Sequence, residues 1–390
     1  MAKYKYLMVG AGMTADSAVR GIRELDANSS IGLIGNDDNP PYNRPPLSKS
    51  LWKGKPLERI WRKTQELSVD LHLGRTVRSI DPAKKMLTDD QGASYEYDKL
   101  LLATGGTPRR LPFGGGNIIY YRTLEDYKFL RELSEQKENF GVIGGGFIGS
   151  EIAAALAMNG KKVSILFPDE GIGARIFPKE IAEYITDYYR QKGVTVIPGV
   201  HVTDLQKMDG LLQIITREEK SVKVDGVVAG IGIQPNVDLA QAAGLKLGNG
   251  IVVDETLHTS QLDIFAAGDV AEFYNPALDK RMRVEHEDNA NTMGKQAGRN
   301  MAGANESYHY LPYFFSDLFE LGYEAIGELD SRLETFVDWK DPFKKGVIYY
   351  LAEGRVRGVL LWNVWEIIPK ARQLIAELGP FTANDLKGRL

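Results

Sequence analysis

The sequence predicts an α/β chain built from two doubly wound parallel-sheet units and a smaller C-terminal α+β unit with an antiparallel sheet. Three observations predict it. Two glycine-rich turns of one kind each lie between an apolar strand and a helix, further apolar strands also run into small-residue turns, and the chain changes character from residue 305 onward.

Composition bounds the answer first. A chain of 390 residues, 43% hydrophobic, buries a sizeable core and divides into roughly two or three domains. Its net charge of −4, with no basic run, disfavours nucleic acid or an anionic membrane as the main partner. Met1 to Gly12 reads as a strand entering a turn, not a signal peptide, which implies a cytoplasmic location without an organelle-targeting leader. The apolar stretch Phe140 to Met158 is interrupted by glycines and carries Glu151, a carboxylate that spanning would place in lipid, so no membrane span is expected. The chain has no cysteine, which removes disulfides, thiolate metal sites and dithiol redox relays. Its histidines, His72, His201, His258, His286 and His309, are scattered and lack metal-ligand spacing, so no metal is expected.

The elements follow in order. Tyr4 to Val9 is a strand, Gly10, Gly12 and Ala15 form the turn, Ala18, Val19, Ile22 and Leu25 recur at helical spacing, and Ile31 to Gly35 is the next strand. The second copy is complete: strand Phe140 to Ile143, Gly144, Gly146 and Gly149, an alanine-rich helix through Glu151 to Met158, then strand Lys162 to Phe167. The first two glycines of such a turn let backbone approach a pyrophosphate, and the third small residue lets helix pack on strand. One copy is a weak signal; two complete copies, too far apart for one sheet of consecutive units, predict two Rossmann-like dinucleotide-binding domains. "KLLLATGG" (Lys99 to Gly106), "VVAGIGIQPN" (Val227 to Asn236) and "DIFAAGDV" (Asp263 to Val270) again run strands into glycine turns, the last placing Asp269 at the mouth. Beyond them Tyr308 to Asp317 is aromatic-rich, Phe343 to Trp362 reads as two strands around Glu353-Gly354, and Lys370 to Leu378 as an amphipathic helix after Ile368-Pro369.

The motifs "VGAGMTAD", "PPYNRPPLSKSLW", "LLATGGTPRRL", "VIGGGFIGSEIA", "GIGIQPNVDLA", "IFAAGDVAEF" and "VEHEDNANTMGKQAG", in this order, resemble the two-dinucleotide flavoprotein reductases of the ferredoxin reductase-like group. The tail segments "FFSDLFELGYEAIGELDS" and "GVIYYLAEGRVRGVLLWNVWEIIPKAR" make the chain most similar to the apoptosis-inducing factor branch of that group. The resemblance implies a discontinuous FAD domain, residues 1–112 and 244–304, a nicotinamide domain at 113–243 and a C-terminal domain at 305–390. It assigns FAD to Gly10, Gly12 and Ala15, with Ala103, Thr104, Gly105 and Gly268 in the neighbouring turns and Asp269 on the ribityl chain; the alternative for Asp269 is a helix N-terminal carboxylate. It assigns the nicotinamide dinucleotide to Gly144, Gly146, Phe147, Ile148 and Gly149, with Gly232 in a later turn.

Consecutive prolines in "NRPPLSK" stiffen that segment and are expected to hold Arg44 extended. The resemblance carries Arg44 onto FAD and Lys49 to the flavin near N5, paired with Glu151, where a cation stabilises charge on the reduced ring. The other reading of Glu151 is a first-turn helix carboxylate. Related disulfide reductases carry two cysteines before this lysine; here the matching places fall within Pro40-Pro41 and Pro45-Pro46. Glu285 and His286 lie by resemblance beside the flavin and nicotinamide, with an ordinary surface histidine as the alternative. Phe315 takes the place of a flavin-facing aromatic, or packs in the core.

After the second glycine unit Asp169, followed by Glu170, disfavours a 2′-phosphate and predicts NADH over NADPH, an expectation that Arg175 softens. After the first unit Asn36 stands where the family has an acid, with Asp37 beside it. The resemblance therefore implies an FAD-dependent NADH oxidoreductase whose acceptor is a ferredoxin or rubredoxin, or alternatively a quinone or small molecule. A third reading is an NADH-responsive redox switch, in which reduction alters homodimer formation or partner binding.

Overall fold

The computed structural model describes residues 1–390, which divide into two compact units. The first comprises residues 1–43, 58–107 and 234–313, the second residues 44–57, 108–233 and 314–390. No helix is long and apolar enough to cross a membrane.

In the first unit the parallel strands run in the order Asp70–His72, Ile31–Ile34, Ala2–Val9, Ser94–Leu102 and Ile264–Ala266, with the antiparallel strands Val77–Asp81 and Met86–Asp89 extending from the start of Ser94–Leu102. Every residue of Ile31–Ile34 is buried, as expected where helices cover both faces of a parallel sheet. Register then does the positioning. Val9 lies beside Ile34 and Leu102, and Leu102 beside Ala266, so four strands end level and their following turns share one edge. Helix Met13–Arg23 packs on helix Glu287–Met301 through glycines: a Cβ on Gly21 would sit 2.1 Å from the Lys295 carbonyl, and one on Gly298 1.9 Å from that of Ala18.

The second unit repeats the device. Its parallel sheet runs Thr195–Ile197, Lys162–Leu166, Asn139–Ile143, Gly226–Ala229 and Ile118–Tyr120, and Ile143 lies beside both Leu166 and Ala229. Val202–Met208, Leu211–Thr216 and Ser221–Val224 form an antiparallel meander beside it. The C-terminal part is a five-stranded antiparallel sheet in the order Tyr313–Leu318, Leu321–Gly327, Arg355–Trp362, Lys345–Ala352 and Glu334–Asp341, with helix Ile368–Ala376 packed on it.

Three local expectations are corrected. Leu25 falls beyond the end of helix Met13–Arg23 and is exposed, because the helix closes where Leu25 and Asp26 both bond back to the Ile22 carbonyl. The C-terminal helix begins at Ile368 and includes Pro369, whose missing N–H costs nothing in a first turn; it ends before Leu378, which is exposed. Arg44 is not extended. It sits in the right-handed helical region (φ −81°, ψ −35°) as the cap of a 3-10 turn over Pro45–Ser48, where the Leu47 N–H donates to its carbonyl at 3.0 Å and overrides the preference that a following proline imposes.

Candidate functional site

Both glycine turns have the geometry a pyrophosphate requires. Gly10 and Gly144 share φ +111°, a backbone region closed to other residues, and their N–H groups donate to the strand-end carbonyls of Ile34 and Leu166 at 2.7 and 2.8 Å. A Cβ on Gly10 would meet the Ala103 carbonyl at 2.1 Å and one on Gly144 the Gly230 carbonyl at 2.4 Å. Gly12 and Gly146 differ: a Cβ there meets nothing within 4 Å, so these positions face open space at the start of helices Met13–Arg23 and Phe147–Met158. Neither helix start is closed by a side-chain cap. Tight backbone at the first glycine, free space at the second and an uncapped helix start together fit a bound diphosphate. At the third place Ala15 is fully buried, whereas a Cβ on Gly149 would lie 1.9 Å from the Gly144 carbonyl.

Around the first turn, Asn236 staples Ala103-Thr104-Gly105 in place. Its amide donates to the Thr104 carbonyl at 2.8 Å, its N–H to the Gly105 carbonyl at 3.0 Å, and its carbonyl accepts the Thr104 hydroxyl at 2.8 Å. Gly268 (φ +76°) opens the turn carrying Asp269, whose carbonyl accepts Arg283 Nη1 at 2.8 Å. Arg283 also pairs with Glu285 at 2.7 Å. Asn36 is exposed at the end of Ile31–Ile34, while the Asp37 carboxylate accepts from the Asn39 N–H and the Tyr42 hydroxyl at 2.9 and 3.0 Å and so shapes its own loop.

His286 caps helix Glu287–Met301 and is half-buried. Burial lowers its pKa to about 4, and the nearby Asp269 charge only partly opposes this. The imidazole is therefore neutral at pH 7. An unfolded chain takes up this proton near pH 6.5 and the folded chain only near 4, so acidification from 7 to 4 is expected to cost about 3 kcal/mol at this residue. Thermal unfolding across that range checks it: His286→Gln should lose less stability than the unsubstituted protein.

In the second unit Lys49 and Glu151 meet. Lys49 Nζ lies 2.6 Å from Glu151 Oε1, with side chains 12% and 4% exposed, so the pair is buried. Glu151 is not in the first turn of its helix, which starts at Phe147, and the dipole reading does not describe it. Two hydroxyls that the motifs did not single out complete the carboxylate's shell. Ser316 Oγ donates to Oε1 and Ser48 Oγ to Oε2, each at 2.6 Å. Ser48 adjoins Lys49 and Ser316 adjoins Phe315, so both stand inside motifs already noted, yet nothing local shows that they converge. The Phe315 ring takes the Lys49 ammonium at 5.4 Å from its centre and is half-buried. The loop is held by the Leu47 carbonyl, which accepts the Tyr121 hydroxyl at 2.5 Å and Trp52 Nε1 at 2.8 Å. Burial, then the Glu151 charge, raises the Tyr189 and Tyr323 phenols, which stay protonated.

Phe147 and Ile148 are exposed at the start of their helix, where Phe147 stacks edge-on with Phe314 at 5.2 Å. Gly232 (φ +90°) turns the chain after Gly226–Ala229, its carbonyl accepting the Arg109 N–H at 2.9 Å. Asp169 pairs with Arg175 at 3.1 Å. No cluster of side chains suited to a metal ion is present.

Known proteins resemble this chain over nearly its whole length. A family model described as pyridine nucleotide-disulphide oxidoreductase matches residues 4–294, and one described as the C-terminal part of apoptosis-inducing factor, mitochondrion-associated, matches residues 297–340 and 337–377. The chain is 34% identical to apoptosis-inducing factor 1, mitochondrial, of Dictyostelium discoideum over 96% of its length and 78% of that protein's. It is 32% identical to the ferredoxin reductase subunit of a 5,5′-dehydrodivanillate O-demethylase from a Sphingobium strain, over 97% and 94% of the two chains. Among solved structures, the covalent putidaredoxin reductase–putidaredoxin complex superposes with a TM-score of 0.91 at 28% identity, over 98% of this chain and 95% of that one.

Proposed function

Since the chain belongs to the pyridine nucleotide-disulphide oxidoreductase family and is an FAD- and NAD(P)H-dependent oxidoreductase, we propose that it draws reducing equivalents from NADH and delivers them, with no cysteine relay, to a small ferredoxin-type iron–sulfur protein. The observation that carries this reading is a buried lysine–carboxylate pair in a chain that has no cysteine. Bound FAD supplies the conversion between two-electron and one-electron chemistry. The residues do the rest. Gly10, Gly12 and the start of helix Met13–Arg23 receive the FAD diphosphate, with Asp269 as polar partner to the ribityl chain; Gly144, Gly146 and the start of helix Phe147–Met158 receive that of NADH. Lys49 offers a fixed positive charge to the flavin, and Glu151, held by Ser48 and Ser316, fixes its position. His286 contributes a neutral imidazole that donates or accepts a hydrogen bond without adding charge.

The test is an anaerobic titration with NADH followed by mixing with oxidised ferredoxin, a quinone and oxygen. Fast reoxidation by ferredoxin supports the reading, and fast reoxidation by quinone alone refutes it. The match of the tail to the apoptosis-inducing factor family favours a second reading, a redox-responsive binding protein. For that protein a long-wavelength absorbance band should outlast every acceptor.

NADH preference is proposed to rest on Asp169, whose carboxylate accepts from a ribose hydroxyl and repels a 2′-phosphate. Asp169→Ala is expected to lower the NADH to NADPH ratio of flavin reduction rates about tenfold. An unchanged ratio in stopped-flow measurements removes the assignment.

A further inference from the structure

Past the end of strand Lys162–Leu166 lies an open pocket of about 680 Å³ with two walls. One is expected from the glycine unit: Asp169, Glu170 and Arg175. The other comes from the turn between strands Leu321–Gly327 and Glu334–Asp341, far along the chain, and presents Asp330 and Arg332. Backbone joins the walls, since the Ser331 N–H donates to the Arg175 carbonyl at 3.0 Å, and the Tyr350 hydroxyl bonds the next carbonyl, that of Ile176, at 2.7 Å.

Asp330 is built into its turn. Its carboxylate accepts the Arg332 N–H at 3.0 Å and Arg332 Nε at 2.9 and 3.1 Å, and its carbonyl accepts the Leu333 N–H at 3.0 Å. Across the pocket Arg175 Nε donates to the Asp169 carboxylate at 3.1 Å. Three carboxylates thus line the cavity with two guanidiniums, and each guanidinium already has a carboxylate partner. A 2′-phosphate carries nearly two negative charges and needs a guanidinium fork; a ribose hydroxyl needs only an acceptor.

We propose that Asp330, by engaging Arg332 and adding its own charge to the pocket, is a specificity determinant that admits the 2′-hydroxyl of a dinucleotide's adenosine and rejects a 2′-phosphate. The proposal rests on the reading of residues 113–243 as the NADH-binding domain. The Arg332 side chain is 87% exposed, so its ion pair with Asp330 stabilises the fold little. Its consequence is for the anion: without Asp330 the cavity loses one negative charge and gains a guanidinium free to turn inward.

The experiment is calorimetric binding of adenosine 5′-monophosphate and adenosine 2′,5′-bisphosphate to the full-length flavoprotein, a readout independent of turnover. Asp330→Ala should raise affinity for the bisphosphate about tenfold while that for the monophosphate changes far less, and Asp330→Ala with Arg332→Ala should abolish the gain. Bisphosphate affinity unchanged in Asp330→Ala, with monophosphate binding intact and weakened by Asp169→Ala, overturns the proposal and leaves the NADH assignment standing. Monophosphate binding that is absent, or indifferent to Asp169→Ala, overturns both.

Discussion

Lys49→Ala is expected to slow reduction of the bound flavin by NADH on the order of a hundredfold and to lower stability by about 3 kcal/mol. The two effects have one origin. With the ammonium gone, the Glu151 carboxylate stays buried, 4% exposed, and keeps only the Ser48 and Ser316 hydroxyls as donors. A buried charge stripped of its partner costs more than the pair contributed, because the desolvation remains and the attraction does not. Glu151→Gln separates the two consequences. It keeps the positive charge and an oxygen that accepts from a hydroxyl, so it should reduce the rate less than Lys49→Ala. Equal stopped-flow rates for Lys49→Ala and the unsubstituted protein would sink the role given to Lys49, whatever the melting temperature does.

The second large effect is a contrast between neighbouring glycines. Gly146→Ala adds a methyl where no protein atom lies within 4 Å, so the fold should melt at an unchanged temperature while NADH binding weakens at least about tenfold, the methyl occupying space reserved for a diphosphate. Gly149→Ala adds the same methyl 1.9 Å from the Gly144 carbonyl, which cannot yield without shifting strand or helix. It should cost about 3 kcal/mol in thermal or urea unfolding. Unchanged NADH binding by Gly146→Ala would mean that the open space before Gly146 is not a ligand site.

What was legible in the sequence was what is local. A strand running into Gly10 or Gly144 and on into a helix needs only neighbouring residues, and parallel register then brings the turns after Val9, Leu102 and Ala266 to one edge. The Lys49–Glu151 pair came from resemblance to a family, since no periodicity links residues a hundred positions apart. Ser316 and Ser48 are illegible in the sequence for the same reason: two serines become a carboxylate's donors only when three distant segments fold together. Arg44 departs from the extended conformation that its following proline favours because a competing hydrogen bond, Leu47 N–H to the Arg44 carbonyl, forms in the folded turn. The C-terminal strands Lys345–Ala352 and Arg355–Trp362 were readable around Glu353-Gly354, whereas Leu321–Gly327 and Glu334–Asp341 lack so plain a turn signal.

The glycine contacts between helices Met13–Arg23 and Glu287–Met301 bear on how the chain is made. A nascent polypeptide makes the first of these helices long before the second, with residues 24–286 between them. Until then the Gly21 face has no Lys295 to cover it, and the Ala18 carbonyl has no Gly298 against it. The parallel sheet of residues 118–229 is contiguous in sequence and closes with its own strands in the meantime. Within the first unit the helix pair therefore closes only after the sheet of residues 118–229 has been made, and until then the Gly21 face is a surface that a ribosome-bound chain leaves uncovered.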